Sequence, residues 1–387
     1  MFDLSKKIGM LGGGQLGKML CEAASPWGLK TWVLDAKSEF PAGMICTKFV
    51  EGDFRKYEDV LAFGREVDVL TIEIEDVNTD ALAVLEREGK LVYPSSKSLN
   101  IIKDKGTQKT FFKENNLPTS AFELFIDENA LKNAVLSGDW KFPFVQKTRN
   151  AGYDGKGVSI IRNEKDLTEK LLKGACLAEK LVEIEAEIAV IAARSPSGEI
   201  KTYPAVEMTF HPEANLVEFL ICPARVPGII EAAAESLAEE VIEAFDVVGL
   251  LAVEMFLTKD NQLIINEVAP RPHNSGHHTI DSALTSQFQQ HLRVLLDLPL
   301  GDTKQTSPAV MVNLLGEPGF KGPAVYEGIE QCLAESGVFV HLYNKELTAP
   351  MRKMGHATVV AHDIDTAIKK ARFVQETLKI KSSNVQA

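Results

Sequence analysis

The chain has 387 residues, of which 45% are hydrophobic, and it carries a formal net charge of −12 at pH 7. A chain of this length can bury several hydrophobic cores, which predicts roughly two to four domains. The acidic balance argues against a duplex nucleic-acid binder, which needs a basic face, and no apolar run of membrane length occurs in the sequence.

The cysteines and the first residues indicate a reduced, cytoplasmic protein. The cysteines are odd in number and scattered singly, without a CxxC pair: Cys21, Cys46, Cys176, Cys222 and Cys332. This pattern predicts neither a disulfide framework nor a zinc site. Lys6 and Lys7 are followed by the glycine-rich segment GMLGGGQLG, which does not match the apolar core of a secretory signal.

The first hundred residues predict strands and helices in alternation. The predicted strands are residues 7–11, 31–34, 67–73 and 90–92, and the predicted helices are residues 16–24, 60–65 and 80–88. This order is typical of a doubly wound parallel sheet. We therefore expect an α/β fold that begins with a domain over residues 1–100.

The first turn of this predicted sheet is glycine-rich. It reads GGGQLG from Gly12 to Gly17, which matches GxGxxG, and Asp35 ends the second strand. The pattern is typical of a dinucleotide site in which the acid binds the ribose. The turn could instead present its backbone N–H groups to any phosphate or carboxylate, or keep its glycines for a tight turn alone. The residues leave all three interpretations open.

The middle of the chain joins a lysine to a second glycine-rich loop. The predicted elements are a charged helix at 99–115 and strands at 122–125, 144–147 and 158–161. Lys147 ends one strand, and the loop TRNAGYDGKG, residues 148–157, leads to the next. Backbone donors of such a loop can cover phosphates while Lys147 supplies a point charge. A surface hairpin is the alternative.

Residues 178–182, AEKLV, are followed by Glu187 in a predicted strand. Backbone groups of this segment could bind an adenine, and a carboxylate could bind ribose hydroxyls. The segment therefore predicts the edge of a nucleotide pocket.

Two glutamates face each other in a predicted hairpin. Residues 251–257 and 263–268 read as apolar strands, and Asp260-Asn261 between them suits a two-residue turn. Counting outward from that turn, Leu257 faces Ile264 and Glu254 faces Glu267, with almost nothing in the sequence to neutralise the two carboxylates.

Opposed like charges destabilise a sheet, so this pair of glutamates predicts a bound cation or a shared proton. Magnesium is the natural guest, because it accepts one or two carboxylates and takes its other oxygens from water and nucleotide phosphates. The alternative is a solvated polar face.

Residues 343–356 form a basic island in this acidic chain, between strands predicted at 338–342 and 357–361. Lys345 supplies a point charge and Arg352 a fork of donors, a combination that suits a phosphomonoester. An ordinary solvated turn is the alternative.

The sequence contains the following motifs in chain order: GGGQLG, Lys147, GYDGKG, EKLV with Glu187, VEMF and NEVAPRPHNSGH. By these motifs, the chain resembles the ATP-grasp superfamily along nearly its whole length. Within it, the chain resembles the N5-carboxyaminoimidazole ribonucleotide synthase family. The resemblance implies an α+β architecture with the N-terminal domain at 1–100, a small central lid domain at 101–180 and a larger C-terminal domain at 181–387. The last contains the metal hairpin and a terminal α/β subdomain from about residue 305.

The resemblance also implies an activity. ATP and bicarbonate would form carboxyphosphate, which carboxylates 5-aminoimidazole ribonucleotide in de novo purine biosynthesis and releases ADP and phosphate. ATP and Mg²⁺ are implied as cofactors, and a homodimer as the assembly. Neither nucleic acid nor a membrane is an expected partner.

Site residues follow from the resemblance by position. The metal ligands would be Glu254 and Glu267, and the catalytic residues Lys147, Arg271 and His277. The nucleotide residues would be Lys105, Lys147, Gly152, Tyr153, Asp154, Gly155, Lys156, Gly157, Glu179, Lys180, Leu181, Val182, Glu187, His211, Asn266 and Glu267. The residues for the ribonucleotide would be Gln15, Tyr153, Asp154, Lys156, Asn274, Lys345 and Arg352. Lys105 and Lys156 stand where arginine is common, so they keep the charge and lose the planar fork.

His273, His277 and His278 crowd the loop after the second glutamate and could suggest another metal site, but no carboxylate at ligand spacing accompanies them. His277 is better interpreted as orienting this loop or the bicarbonate, or as a structural residue.

Two other functions stay open. Another ATP-grasp ligase, such as formate-dependent glycinamide ribonucleotide transformylase, shares the acyl-phosphate chemistry, although HNSGH discriminates against it. A non-catalytic nucleotide-binding protein would have Asp35 and GGGQLG as its whole site.

Overall fold

The computed structural model describes residues 3–150, 157–210 and 217–383. Three main sheets organise these residues: a five-stranded sheet, a four-stranded sheet and a nine-stranded sheet, with a small three-stranded sheet near the end. Within the described ranges, the helices all fall short of the length and apolarity needed to cross a bilayer.

The first domain is a parallel sheet. Its elements are β1 (Lys7–Leu11), α1 (Gln15–Ala24), β2 (Lys30–Asp35), β3 (Lys48–Glu51), α2 (Tyr57–Glu66), β4 (Val69–Ile72), α3 (Thr79–Arg87) and β5 (Leu91–Val92). The strand order is β3-β2-β1-β4-β5, so the chain changes direction across the sheet at β1. The doubly wound prediction is confirmed. Strand β3 was not predicted, because its four residues KFVE have charges at both ends and are at most half-buried.

The central elements follow. They are α4 (Ser96–Ile102), α5 (Lys105–Glu114), β6 (Phe122–Phe125), α6 (Glu128–Ser137), β7 (Phe144–Thr148), β8 (Val158–Ile161), α7 (Glu164–Glu169) and β9 (Cys176–Lys180). The charged stretch predicted as helical at 99–115 is helical, but it is divided between α4 and α5. The chain breaks at Asp104, whose carboxylate accepts a hydrogen bond from Thr107 N at 2.9 Å and so begins a second helix.

Helix α5 contributes to the core of the large domain, and its Lys109 also reaches Glu179 of the four-stranded sheet. Phe112 belongs to the core of the large domain, together with Ile188 and Ile265. The four-stranded sheet has a separate core that includes Phe125 and Phe144. The two cores are separate, and the domain limit expected at residue 101 stays a prediction.

The large domain and the terminal segment share one sheet. Their elements are β10 (Ile184–Arg194), β11 (Ile200–Thr202), β12 (Val206–Phe210), β13 (Val217–Cys222), α8 (Gly228–Ala244), β14 (Gly249–Thr258), β15 (Leu263–Ala269), α9 (Thr279–Ser282), α10 (Gln287–Leu295), β16 (Ala309–Leu315), β17 (Gly322–Glu327), α11 (Ile329–Leu333), β18 (Val338–Leu342), β19 (Leu347–Thr348), β20 (Lys353–Val360), α12 (Ile364–Thr377) and β21 (Lys379–Ser382). The order is β15-β14-β10-β12-β13-β16-β20-β18, and the ninth strand, β11, pairs with β10. Because β13 pairs with β16, the terminal segment continues the sheet of the large domain.

The first domain packs against the large domain through α1 and α10. Met19 and Leu20 share a buried cluster with Phe288 and Leu292. This contact brings the carboxyl ends of the parallel strands towards the loop that follows β15.

Candidate active site

The two glutamates of the hairpin pair as predicted, although the turn differs from the predicted one. Glu254 lies opposite Glu267. The turn has three residues, 259–261, with Asn261 in the left-handed region at φ 61° and its N–H donating to Thr258 O at 2.9 Å. Leu257 therefore faces Leu263, and the predicted pairing of Leu257 with Ile264 is wrong.

A β-bulge at Asn266 restores the register. The ladder pairs Met255 with Ile265 and then Glu254 with Glu267, which leaves Asn266 as the extra residue of β15. A bulge sets two residues of one strand against one residue of its partner. Asn266 and Glu267 accordingly line one cleft together with Lys105 and Lys147.

Positive and polar groups surround the two carboxylates, so the expectation that almost nothing neutralises them is wrong. Lys105 forms an ion pair with Glu267, and His273 Nε2 lies 3.4 Å from Glu254 Oε1. Burial and the neighbouring Glu267 raise the pKa of Glu254. Burial acts in the same sense on Glu267, but Lys105 and Lys147 outweigh it and lower its pKa. Local sequence patterns could not pair Lys105 and Lys147 with these carboxylates, because the two lysines come from elements far from the hairpin in the chain.

Lys147 lies in a buried cluster of charges. Its Nζ is 2.8 Å from Asn266 Oδ1 and 3.1 Å from Glu179 Oε1. Lys109 lies 3.3 Å from the other oxygen of Glu179, to which Ser120 Oγ donates at 2.8 Å. Burial raises the pKa of Glu179, but the two lysines outweigh it and lower it overall. Burial lowers the pKa of Lys109 to about 8.

The expected nucleotide edge connects β9 to β10. Lys180 ends β9, and Leu181 is 40% exposed and Val182 half-buried in the link to β10. Glu187 lies within β10, opposite Met208 and Phe256 of the flanking strands. Burial raises the pKa of Glu187 to about 7. The roles of these residues towards adenine and ribose stay predictions.

Several expected nucleotide and substrate residues lie outside the described residues: Gly152, Tyr153, Asp154, Gly155, Lys156 and His211. Gly157 is described. Its carbonyl accepts a hydrogen bond from Thr148 N at 2.9 Å, and its φ of 79° suits glycine.

A buried glutamine holds the loop after β15. Gln287 Oε1 accepts from His273 N at 2.9 Å, and its Nε2 donates to His273 O at 2.9 Å and lies 3.0 Å from His277 Nδ1. Gly276 allows this approach, because an added Cβ there would lie 2.5 Å from Gln287 Oε1. Burial holds the pKa of His277 well below its ordinary value, so the ring is neutral. Asn274 begins the short 3₁₀ turn Asn274–Gly276 in this loop.

The described part of the chain gathers no group of three or more histidine, cysteine, aspartate or glutamate side chains fit for a metal ion. A cation between Glu254 and Glu267 would therefore need ligands from water and phosphate oxygens, as Mg²⁺ usually has. The donor set fits such an ion, since it consists of hard carboxylate oxygens flanked by the amide of Asn266.

Arg271 connects the large domain to the first domain. Its Nε lies 2.8 Å from Glu75 Oε1, just beyond the end of β4. The guanidinium is thereby held at the carboxyl ends of the parallel strands, where ligands of such sheets bind.

The glycine-rich turn after β1 is bonded by the protein's own carboxylates. Gly13 N donates to Asp35 Oδ2 at 2.7 Å, and Gly14 N and Leu16 N both donate to Glu73. Burial raises the pKa of Glu73 to about 7. Because these N–H groups and Asp35 are engaged internally, the geometry gives no support to a dinucleotide site. Gln15 is half-buried at the start of α1.

Lys345 and Arg352 of the basic island have separate backbone partners. Lys345 Nζ donates to Lys353 O at 2.8 Å, and Arg352 Nη1 donates to Leu347 O at 2.6 Å. Lys345 is half-buried and Arg352 exposed. Their joint role in binding a phosphate stays a prediction.

Sequence reasoning missed Gln108, Lys109, Glu73 and Gln287. A helical signal was present for two of them, because Lys105, Gln108 and Lys109 have the spacing of one helix face. Glu73 could have been found as an acid at the carboxyl end of β4. Gln287 lies in a separate helix, and the sequence carried no sign of it.

Three family models match successive parts of the chain. They are the ribonucleotide synthetase preATP-grasp domain at residues 5–103, the ATP-grasp domain at 110–288 and the phosphoribosylaminoimidazole carboxylase C-terminal domain at 309–370. The first two follow the division between the parallel-sheet domain and the domains that carry the charged cleft.

Individual proteins match over almost the whole chain. It is 36% identical over 366 residues to the N5-carboxyaminoimidazole ribonucleotide synthase of Bacillus subtilis strain 168, covering 94% of this chain and 93% of that protein. The chain spans 66% of the length of the phosphoribosylaminoimidazole carboxylases of Candida glabrata and Saccharomyces cerevisiae that it also matches.

Solved structures are similar too. The N5-carboxyaminoimidazole ribonucleotide synthetase of Thermotoga maritima has a TM-score of 0.89 at 42% identity, with 98% of this chain and 100% of that chain covered. The Aspergillus clavatus synthase in complex with ADP and 5-aminoimidazole ribonucleotide has a TM-score of 0.88 at 32% identity, with 96% and 98% covered.

Proposed function

Since the chain belongs to the N5-carboxyaminoimidazole ribonucleotide synthase family of ATP-grasp enzymes, we propose that it carboxylates 5-aminoimidazole ribonucleotide. ATP and bicarbonate are consumed, and N5-carboxyaminoimidazole ribonucleotide, ADP and phosphate are released, as a step of de novo purine biosynthesis. The observation that carries this proposal is that Glu267, which lies opposite Glu254, lines one cleft with Lys105 and Lys147.

Charge neutralisation is what this cleft offers to phosphoryl transfer. Glu254 and Glu267 would hold Mg²⁺, which when bound would screen the phosphate oxygens of ATP. Lys147 would bind a phosphate while Lys109 continues to neutralise Glu179. Lys105 would move from Glu267 to a phosphate once a metal ion takes its place. Glu179, Lys180, Leu181, Val182 and Glu187 would form the adenine and ribose side of the pocket.

In the proposed reaction a bicarbonate oxygen attacks the γ-phosphorus, the bond to ADP breaks, and carboxyphosphate forms. Loss of phosphate gives carbon dioxide, whose carbon accepts the electron pair of the exocyclic amine, and the amine then loses a proton. Arg271, fixed by Glu75, would stabilise negative charge near the bicarbonate. His277 is buried, neutral and near Gln287, which supports a role in holding the loop that carries Asn274.

The ribonucleotide would lie between the first domain and the terminal segment, near Gln15, Asn274, Lys345 and Arg352. Lys345 and Arg352 would bind its 5′-phosphate. Replacing both by methionine should raise the KM for the ribonucleotide and leave the KM for ATP unchanged, with the exposed Lys369→Met as control. A change in the KM for ATP alone would contradict this assignment.

We also propose a cytoplasmic location and a homodimer. All five cysteines are free thiols, which agrees with a reducing compartment. Sedimentation at several protein concentrations would test the assembly.

One assay tests the proposed activity. ADP release should require 5-aminoimidazole ribonucleotide together with bicarbonate, and it should be absent with glycinamide ribonucleotide and formate. Release with the second pair of substrates would favour the transformylase, and ATP binding without turnover of either pair would favour a non-catalytic protein.

A further inference from the structure

Strand β15, which carries Glu267, lies at the edge of the nine-stranded sheet. Among the described strands it pairs with β14, and the bulge at Asn266 interrupts that ladder. The other edge of β15 presents backbone N–H and C=O groups that need partners when they are buried. The position of Glu267 therefore depends on what bonds this second edge.

The backbone on both sides of the bulge is bonded by α5 and by the segment that follows it. Ile265 N donates to Pro118 O at 2.8 Å. Ile265 O accepts from Thr119 Oγ1 at 3.0 Å and from Lys109 Nζ at 3.3 Å. Val268 N donates to Gln108 Oε1 at 3.2 Å. These hydrogen bonds therefore hold the strand immediately before Asn266 and immediately after Glu267.

The side chains that make these bonds are almost fully buried and share a helix face with Lys105. Gln108 and Lys109 are each 3% exposed. They lie three and four residues after Lys105, which brings all three to one side of α5. Lys105 contacts the carboxylate of Glu267, while Gln108 and Lys109 contact the backbone of the same strand.

We propose that Gln108 and Lys109 are positioning residues for the metal carboxylate Glu267. They hold the bulged strand at Val268 and Ile265, so that Glu267 faces Glu254 and Asn266 faces Lys147. This inference rests on the proposed function, because it assigns Glu254 and Glu267 to a magnesium–nucleotide site.

The proposal predicts that replacing Lys109 weakens the binding of a divalent cation, whereas electrostatics alone predicts stronger binding. Replacing Lys109 by methionine removes a cation from the neighbourhood of the metal, so electrostatics alone would strengthen binding of a divalent cation. Loss of its bond to Ile265 O would instead loosen the strand and weaken binding. Gln108→Met changes no charge, but it leaves Val268 N buried without its acceptor, which acts in the same direction.

The experiment measures Mn²⁺ binding to the whole protein in the presence of ADP by electron paramagnetic resonance. Gln108→Met and Lys109→Met should each weaken Mn²⁺ binding about ten-fold, as removal of a supporting partner of a metal ligand typically does. Lys113→Met is the matched control, because Lys113 is an exposed lysine of the same helix. It should bind Mn²⁺ as the unchanged protein does.

Thermal unfolding separates positioning from general destabilisation, which would lower the Tm without altering Mn²⁺ binding by the folded protein. Thr119→Val removes one of two side-chain donors to Ile265 O at similar volume, so it gives a milder variant if the buried replacements fail to fold. It should weaken Mn²⁺ binding in the same direction.

Unchanged Mn²⁺ binding in the variants that fold, or tighter binding in Lys109→Met, would overturn the proposal. The proposed function is tested separately by the ribonucleotide assay on the unchanged protein. Its failure there would leave the Mn²⁺ comparison valid as a test of the positioning role.

Discussion

Glu254 and Glu267 face each other but have different partners, so their replacement should have different effects. Burial raises the pKa of Glu254, so its ionised form lowers stability at neutral pH. Glu267 has a lowered pKa and pairs with Lys105, so its charge contributes to stability.

We therefore expect Glu254→Gln to raise the free energy of unfolding and Glu267→Gln to lower it, each by about 1 kcal/mol. Thermal unfolding at pH 7 without divalent cations measures both. Both variants should lose ATP turnover, because each removes a carboxylate from the proposed metal site. A shift of the same sign in the two variants would contradict the unequal roles.

Lys147 has two partners, Asn266 and Glu179, and Glu179 keeps Lys109 when Lys147 is removed. Lys147→Met should therefore fold and bind nucleotide weakly, with kcat lower by about 100-fold, since one preorganised charge is lost from phosphoryl transfer. ADP release and the Tm measure the two effects. The exposed Lys141→Met serves as control, and normal ATP kinetics in Lys147→Met would move the phosphate site elsewhere.

At the scale of elements, the hairpin β14–β15 shows why the pairing of Glu254 with Glu267 was predicted correctly although the predicted turn was wrong. A two-residue turn without a bulge and a three-residue turn with one bulge both set Glu254 opposite Glu267. The separation of the glutamates along the chain is the same in both cases, so the sequence could not distinguish them. The three-residue turn forms because Asn261 has a positive φ and Asp260 does not.

The type of turn can be tested by replacing Asp260 and Asn261 separately by alanine. A two-residue turn of the common type needs positive φ at both residues, whereas the observed turn needs it at Asn261 alone. Asn261→Ala should lower the free energy of unfolding by about 1 kcal/mol, while Asp260→Ala should change it by less. Urea unfolding compares the variants. Equal losses would favour the two-residue turn.

For helix α5, the sequence predicted the element itself but not its start or its packing. Its residues read as a charged helix, and that reading is correct, but the start at Asp104 depends on a cap that propensity alone did not reveal. Its packing against β15 joins residues far apart in the chain. Local patterns predicted the helix, and only the tertiary contacts gave it a place beside Glu267.

At the scale of the molecule, the order of strands and helices could be predicted, whereas the extent of the large sheet could not. The pairing of Phe219 with Val312 joins the terminal segment to the large domain. No local pattern encodes a pairing at such separation, and the terminal α/β subdomain expected from about residue 305 stays a prediction.

Buried histidines at the contact between domains make stability depend on pH. His291 Nε2 lies 2.9 Å from Thr71 Oγ1 across that contact, and burial lowers its pKa to about 4. The unfolded chain takes up a proton near pH 6.5 and the folded chain does not, so stability present above that pH is lost as the pH falls towards 4. The slope is about 1.4 kcal/mol per pH unit for each such histidine.

His291→Gln removes the titrating group and can keep a hydrogen bond to Thr71. Urea unfolding between pH 7.5 and 5 should show a shallower dependence in this variant, by about the slope of one histidine. The exposed His362→Gln is the control. Parallel curves for His291→Gln and the unchanged protein would mean that His291 takes up its proton equally in the folded and unfolded states, which would contradict a lowered pKa.

The turn after β1 has a consequence for protein engineering. Its glycines have the spacing of a dinucleotide fingerprint, yet Asp35 and Glu73 already occupy the donors that a pyrophosphate would use. To install a nucleotide cofactor on this domain, one would have to replace Glu73 by a small neutral residue and also release Gly13 N from Asp35. Adding further glycines would achieve nothing, because the acid on the neighbouring strand decides whether the turn can accept an anion from outside.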